Sequence, residues 1–244
     1  MNPGDDVTHP ILGSDAWRVI EGDAADVLPS LGVVDHDAVV ITDPPWPEGD
    51  AETGWASAAQ FGRVAPAWEG ARRVVVHLGA FTDPRMLGAM PSSLPFDCVR
   101  WLRYTPPSYC GTRLRQADVA YIFGERERPH GATVAPAEAE HNTSKMRDGF
   151  GHPCSRSLQH LMWLVRWFTQ PEDLVIDPFC GTGVTGEACA RLGRRFIGID
   201  IDPRWVALSR ERLTAAANGS TLAAARAGQH PLFAGSRSRE ESSL

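Results

Sequence analysis

Ile41-Thr42-Asp43-Pro44-Pro45-Trp46 is the stretch whose residue types could do chemistry together. The apolar run from Ala38 to Ile41 before it reads as a buried strand. That reading sets Asp43 at the strand's C-terminal end, where open α/β sheets place ligands. Two prolines stop the hydrogen-bond ladder and fix φ, so the carbonyls of Asp43 and Pro44 point in set directions. Trp46 adds a flat aromatic face. A carboxylate, a rigid carbonyl and an aromatic plate suit a planar base with an exocyclic amine, because both oxygens accept N–H and the ring stacks. The same residues also describe a strand that ends in a proline-rich turn with one exposed Trp. A second motif downstream separates the two descriptions.

That motif is Asp177-Pro178-Phe179-Cys180-Gly181-Thr182-Gly183-Val184-Thr185-Gly186, between an apolar strand and a helix. Gly181-x-Gly183-x-x-Gly186, with Asp200 nineteen residues after Gly181, fits the dinucleotide fingerprint and its ribose-binding acid. A nicotinamide enzyme is therefore a rival reading. Against it, Asp177 at the mouth of the loop would repel a pyrophosphate and welcome a cationic amine. The rest of the chain is too short and irregular for an evident substrate domain, and hydride transfer leaves Asp43 without a role. A cofactor with a ribose, an amino-acid end and no phosphates fits better, which points to S-adenosylmethionine.

The elements that must position these residues follow from periodicity. Trp17 to Glu21 reads as a strand that brings Asp23 to its end, followed by a helix with Ala25, Val27, Leu28 and Leu31 apolar. Val74 to Leu78, Phe96 to Tyr104, Asp118 to Phe123, Leu174 to Asp177 and Phe196 to Asp200 are further expected strands. Asp83 to Met90 reads as a short helix, and residues 47–58 as a loop that could cover the site. From Gly124 to Gly151 the hydrophobic period is lost, and this stretch is read as a loop facing a polyanion. Leu158, Leu161, Met162, Val165 and Phe168 form one helix face, with Trp163 and Trp167 flanking it as packing residues. Asp202 and Pro203 open a last helix that runs to about Ala217. Residues 1–14 are expected to be a flexible arm, 15–217 the working domain, and 218–244 a disordered tail.

With 244 residues, 43% hydrophobic and 22% charged, the chain has the composition of a soluble α/β domain. Its five cysteines are scattered and show no zinc spacing, so no metal is expected. No apolar run approaches bilayer length, and a cytoplasmic location is expected. The net charge of −6 is unevenly spread. Residues 1–60 hold twelve acids against Arg18 alone, whereas residues 100–156 hold nine bases against six acids. A phosphate backbone responds to the local field, so the middle of the chain can face one and the beginning cannot. Arg113, Arg115, Arg126, Arg128, Lys145 and Arg147 are the candidate nucleic-acid contacts.

Together these motifs resemble the amino-methylating nucleic-acid methyltransferases that act on adenine N6 or cytosine N4. Asp43-Pro44-Pro45-Trp46 resembles their catalytic motif, Asp177 to Gly183 their cofactor loop, and Gly198-Ile199-Asp200 their ribose strand. Gly22-Asp23 is similar to the position whose acid contacts the cofactor adenine. His152-Pro153-Cys154-Ser155-Arg156 is similar to the His-Pro-x-x-Lys element ahead of the cofactor loop. Catalytic motif first and cofactor loop last is the order of the β class. The resemblance covers most of residues 15–217. Two residues depart from the pattern. Trp46 stands where Tyr or Phe is common and resembles the form in RNA adenine methylases and some phage enzymes, and Arg156 replaces the usual Lys.

The resemblance implies a Rossmann-like, S-adenosylmethionine-dependent methyltransferase fold, with a seven-stranded mixed sheet in permuted order. It implies that Asp43, Pro44, Pro45 and Trp46 handle the base, most readily adenine N6 in DNA, with cytosine N4 and RNA adenine as alternatives. It gives Asp23, Arg156, Asp177, Phe179, Cys180, Gly181, Gly183, Thr185 and Asp200 to the cofactor. The expected partner is duplex DNA with a flipped base, in a bacterial or phage setting, and the resemblance leaves room for a homodimer. A silent nucleic-acid-binding subunit of the same fold is the rival, disfavoured by the intact Asp43 and cofactor loop. Cys154 is read as incidental and His152 as structural. In the tail, Gln229-His230-Pro231-Leu232-Phe233 resembles short peptides that dock on bacterial sliding clamps, a pattern that also arises by chance.

Overall fold

The structure is a computed structural model that describes residues 16–45, 57–110, 112–126, 136–139 and 156–229. Its framework is a single eight-stranded sheet. In chain order the elements are β1 (Trp17–Glu21), α1 (Ala24–Leu31), β2 (Ala38–Thr42), α2 (Ser57–Val64), a 3-10 turn (Ala65–Trp68) and β3 (Arg73–Leu78). A second 3-10 turn (Pro84–Ala89), β4 (Phe96–Cys110), β5 (Arg113–Gly124), β6 (Ala137–Ala139) and α3 (Leu158–Phe168) follow. The chain closes with β7 (Leu174–Asp177), α4 (Val184–Leu192), β8 (Arg195–Asp200), α5 (Pro203–Ala217) and α6 (Leu222–Arg226).

The strand order is β1-β8-β7-β2-β3-β5-β4-β6. Only β5 runs against its neighbours; β1, β8, β7, β2 and β3 are mutually parallel. β2, β3 and β7 are buried along their whole length, because helices cover both faces of a parallel sheet. This explains why they read as unbroken Val/Ile runs. One core packs α1, Phe61 and Trp68 on one face, and the other packs α3, α4 and α5 on the opposite face. The chain leaves β2 towards β3 and leaves β7 towards β8, in opposite directions along the sheet. The β2/β7 boundary is therefore the switch point, where the connecting loops part and open a crevice.

Local chemistry ends the helices where the sequence places them. Asp23 caps α1 by accepting the Ala25 N–H at 2.9 Å, and Gly32 closes it in the left-handed conformation. Asp202 caps α5 through the Arg204 N–H, with Pro203 in the first turn.

Four expectations change. The sheet has eight strands instead of seven, because the short β6 pairs with β4 within a stretch that lacks hydrophobic period. β4 and β5 run well beyond their apolar cores, since their far ends pair only with each other and need no buried face. The expected short helix is present at 84–89 but is of the tighter 3-10 type, capped by Asp83. Order continues past Ala217 through α6, where Thr221 caps the helix and Leu222 is buried. Residues 1–14, 47–56, Trp46, Arg128, Lys145, Arg147, His152, Cys154 and His230 to Phe233 lie outside the described residues.

Candidate active site

β2 and β7 are adjacent and parallel, with Val40 opposite Ile176. Their C-terminal ends therefore deliver Asp43 and Asp177 to the same edge of the sheet. The Thr42 hydroxyl ties the two ends together by donating to Asp177 Oδ1 at 2.9 Å. Thr185 donates to Asp177 Oδ2 at 2.7 Å, and the Phe179 N–H donates to Oδ1 at 3.1 Å. Asp177 is thus buried among neutral donors. Burial outweighs these hydrogen bonds and raises its carboxyl to about 7.

The glycine loop has a stated reason at two positions. Gly183 has φ +77°, and a Cβ there would meet Ser209 Oγ at 2.8 Å. Gly186 lets α4 close on β8, since a Cβ would meet the Phe196 ring at 2.6 Å. Asp200 Oδ2 accepts the Gly181 N–H at 2.8 Å and Oδ1 accepts the Asp202 N–H at 2.9 Å. The loop N–H that a phosphate would seek is therefore given to a carboxylate, and a second carboxylate, Asp177, lies beneath it. That donor set fits a cation and repels a pyrophosphate. Asp23 joins the same edge, because the Gly22 N–H donates to the Asp200 carbonyl; its Oδ2 pairs with the half-exposed Arg63 at 2.9 Å.

Other expected cofactor residues are placed differently. Phe179 is half-buried and packs against the α1-side core. Cys180 faces inward: it is buried, and a Cβ on Gly198 would lie 3.0 Å from its own Cβ. Only its backbone remains for the cleft, and burial pushes its thiol up. Arg156 is brought to the side of Asp43. Its Nε donates to Asp43 Oδ2 at 2.5 Å, and its Nη1 lies 3.7 Å from Asp118 Oδ2. A buried guanidinium seeks carboxylates, and the end of β2 and the middle of β5 present two.

At the end of β2 Asp43 is partly exposed, Pro44 is buried and Pro45 is half-buried. Of the expected nucleic-acid contacts, Arg113 is exposed and sits 5.3 Å over the Phe81 ring. Arg126 is also exposed. Arg115 is committed to Asp118, with contacts of 2.6 and 2.8 Å, and stacks on Tyr104.

Motif reading missed the cluster behind Asp43. Asp118 is wholly buried and accepts from Tyr104 Oη at 2.6 Å, Arg115 and His77 Nε2 at 3.3 Å. His160 Nε2 meets the Arg103 carbonyl at 2.8 Å, and burial lowers its imidazole to about 4. The available signal was a polar residue inside an otherwise buried strand, His77 after three valines and Asp118 before Val119 and Ala120. Among the described residues, no group of acids, cysteines and histidines could hold a metal ion.

Residues 101–211 match the N6/N4 family model described as DNA methylase. The type II methyltransferase M2.DpnII of Streptococcus pneumoniae is 41% identical over 64 residues, which is 26% of this chain; the chain spans 24% of that relative's length. Among solved structures, the M1.HpyAVI–SAM complex superposes with a TM-score of 0.61 at 19% identity, covering 81% of this chain and 98% of the other. The cytosine-N4-specific PvuII DNA methyltransferase gives 0.58 at 17% identity, covering 80% and 85%. The two structures share the fold of this chain, and residues 101–211 are similar to the N6/N4 DNA methylase family.

Proposed function

We propose that this chain uses S-adenosylmethionine to methylate an exocyclic base amine in DNA, with adenine N6 as the preferred target. The observation that carries this reading is the junction of β2 and β7. There the Asp43 turn and the Asp177 glycine loop share one edge and are joined by the Thr42 hydroxyl.

The cofactor residues fit the group by chemistry. Asp177, Asp200 and Asp23 supply negative charge and acceptors without a phosphate-binding cation in the loop. Asp200 keeps acceptor capacity for a ribose hydroxyl beyond the N–H groups of Gly181 and Asp202, and Gly181 and Gly183 let the backbone approach closely. When bound, the cofactor supplies an electrophilic methyl on a cationic sulfur.

The target amine is a poor nucleophile because its lone pair is conjugated into the ring. Asp43 and the Pro44 carbonyl accept its two N–H groups, which favours a pyramidal nitrogen with the lone pair turned towards the cofactor side. Catalysis then rests on positioning and fixed dipoles, with no covalent enzyme intermediate. The base is reached by flipping it from the duplex, and Trp46 supplies the stacking face. Arg113 and Arg126, with Arg128, Lys145 and Arg147 from the same part of the sequence, meet the backbone phosphates, while Arg115 steadies the site from within. The Trp form of the motif, which resembles that of RNA adenine methylases, supports adenine as the base and keeps RNA as the alternative substrate.

The test is incubation of the purified chain with labelled S-adenosylmethionine and duplex DNA, single-stranded DNA or RNA, followed by mass identification of the nucleosides. N6-methyladenine from DNA is the expected product. N4-methylcytosine would move the target base, label confined to RNA would move the substrate, and cofactor binding without any methylation would overturn the enzyme reading.

A further inference from the structure

The polar cluster behind Asp43 takes no chemical step in the reaction just described, yet it is better built than a simple structural ion pair requires. Asp118 is neutralised by Arg115, which reaches both of its oxygens, and Tyr104 and His77 take further acceptor sites. Arg156 comes to the same carboxylate from the other side, at 3.7 Å, while giving its short hydrogen bond to Asp43. Its side chain is only 7% exposed. Two carboxylates and two guanidinium groups thus alternate from β5 to the end of β2 and sum to zero charge. The group at the front of this row is the proposed base-binding carboxylate.

We propose that Asp118 is a positioning residue: by holding the Arg156 guanidinium from behind, it sets the plane of the Asp43 carboxylate that receives the target amine. This inference rests on the reading of Asp43 as the group that binds the base. The geometry places Arg156 between two carboxylates, close to Asp43 and farther from Asp118. Arg156 is too far from Asp118 for a hydrogen bond but close enough for its charge to be felt in a dry site. If the Asp118 charge is removed, Arg156 moves onto Asp43 and competes for the acceptor that the amine needs. Tyr104 and His77 fix Asp118 in turn, so the row is anchored in β3, β4 and β5, away from the cofactor loop.

The experiment uses the full chain with Asp118→Asn, Arg156→Gln and the double variant. Single-turnover methyl transfer, calorimetric S-adenosylmethionine affinity and the ¹⁵N resonance of Arg156 Nε, identified by its absence in Arg156→Gln, are measured for each. Asp118→Asn is expected to slow transfer by about 10- to 100-fold, in the range of a lost electrostatic positioning contact, with cofactor affinity within about twofold. The double variant should be no slower than Arg156→Gln alone, because the two residues act on one another. Multiplying losses, or a loss of cofactor affinity in step with melting temperature, would show a merely structural Asp118 and overturn the proposal. Should Asp118→Asn fail to fold, Tyr104→Phe removes one hydrogen bond from Asp118 and is expected to slow transfer about threefold, and not at all in the Arg156→Gln background. The Nε resonance should shift in both Asp118→Asn and Tyr104→Phe, and an unchanged resonance overturns the proposal without any need for activity. Failure of the methyltransferase reading shows separately, as an unmodified base with the wild-type chain.

Discussion

Asp177 and Asp118 are both buried near the same sheet edge, yet their surroundings are opposite. Asp177 is held by two threonine hydroxyls and one backbone N–H, and its carboxyl is raised to about 7. Asp118 faces Arg115, Arg156 and His77, and these hold its carboxyl well below the usual carboxylate range despite burial. One side of the cleft gives its carboxyl neutral donors alone, so a cationic ligand there favours the ionised form. The other is neutralised internally. A cation suits the first and an uncharged amine the second, which is the division of labour that methyl transfer from a sulfonium to a base amine requires.

The comparison can be broken from either side. The largest effect is expected from Asp43→Asn, which keeps the shape and removes the charge. Single-turnover transfer should fall about 10³-fold with cofactor affinity nearly unchanged, as for loss of a preorganised electrostatic contact. A comparable loss in cofactor affinity would place Asp43 on the wrong side of the cleft.

Asp177→Asn should do the reverse, weakening S-adenosylmethionine binding by about 10- to 100-fold, the weight of one charge-assisted hydrogen bond. The Asn can keep all three contacts, since its oxygen accepts from Thr42 and Phe179 and its amide donates to Thr185. The apoprotein also carries a pH signature. A folded-state carboxyl at about 7 against an ordinary 3.8 makes a contribution that is full below 3.8 and lost as pH rises through 7. The wild type should therefore lose roughly 4 kcal/mol from this group across that window. The variant should not. Denaturant titrations at pH 4, 6 and 8 read the difference.

His160 predicts a slope of the opposite sign on the catalytic side. Its imidazole lies at about 4 in the fold against an ordinary 6.5, so it stays neutral while the unfolded chain binds a proton. Its contribution, roughly 3 kcal/mol, is present above 6.5 and lost as pH falls towards 4. His160→Gln preserves a donor for the Arg103 carbonyl and should flatten that acid limb; an unaltered limb would show that the imidazole is not what titrates. The smallest effect belongs to Arg63→Ala. This half-exposed partner of Asp23 should change stability by no more than about 1 kcal/mol, because surface pairs are screened. Cofactor affinity should hold within about twofold, and a larger drop would make Arg63 part of the pocket.

Much of the fold was legible in local pattern. The Val/Ile runs of β2, β3 and β7, the Asp-Pro opening of α5 and the glycines of the β7–α4 loop each carry their own cause, a covered parallel sheet, a cap or a close approach. The two chemical motifs were legible for the same reason, since each lies within a few consecutive residues at a strand end. Arg156 and Asp118 were not. Arg156 was read with the cofactor elements by its place in the chain, and Arg115 with the phosphate-facing bases by its charge. Both turn inward because burying a carboxylate in the middle of β5 demands a cation from wherever the fold can bring one.

By itself the sequence determined which residues could do chemistry and which strand ends would carry them, because strand, turn and cap preferences act over a few neighbours. Tertiary structure decided which ends meet. The pairing of β2 with β7, the Thr42 bridge to Asp177 and the row from Asp118 through Arg156 to Asp43 join residues separated by many tens of positions. Those contacts exist only once the sheet order is set, and it is burial in that sheet that sets the charge each carboxylate can hold.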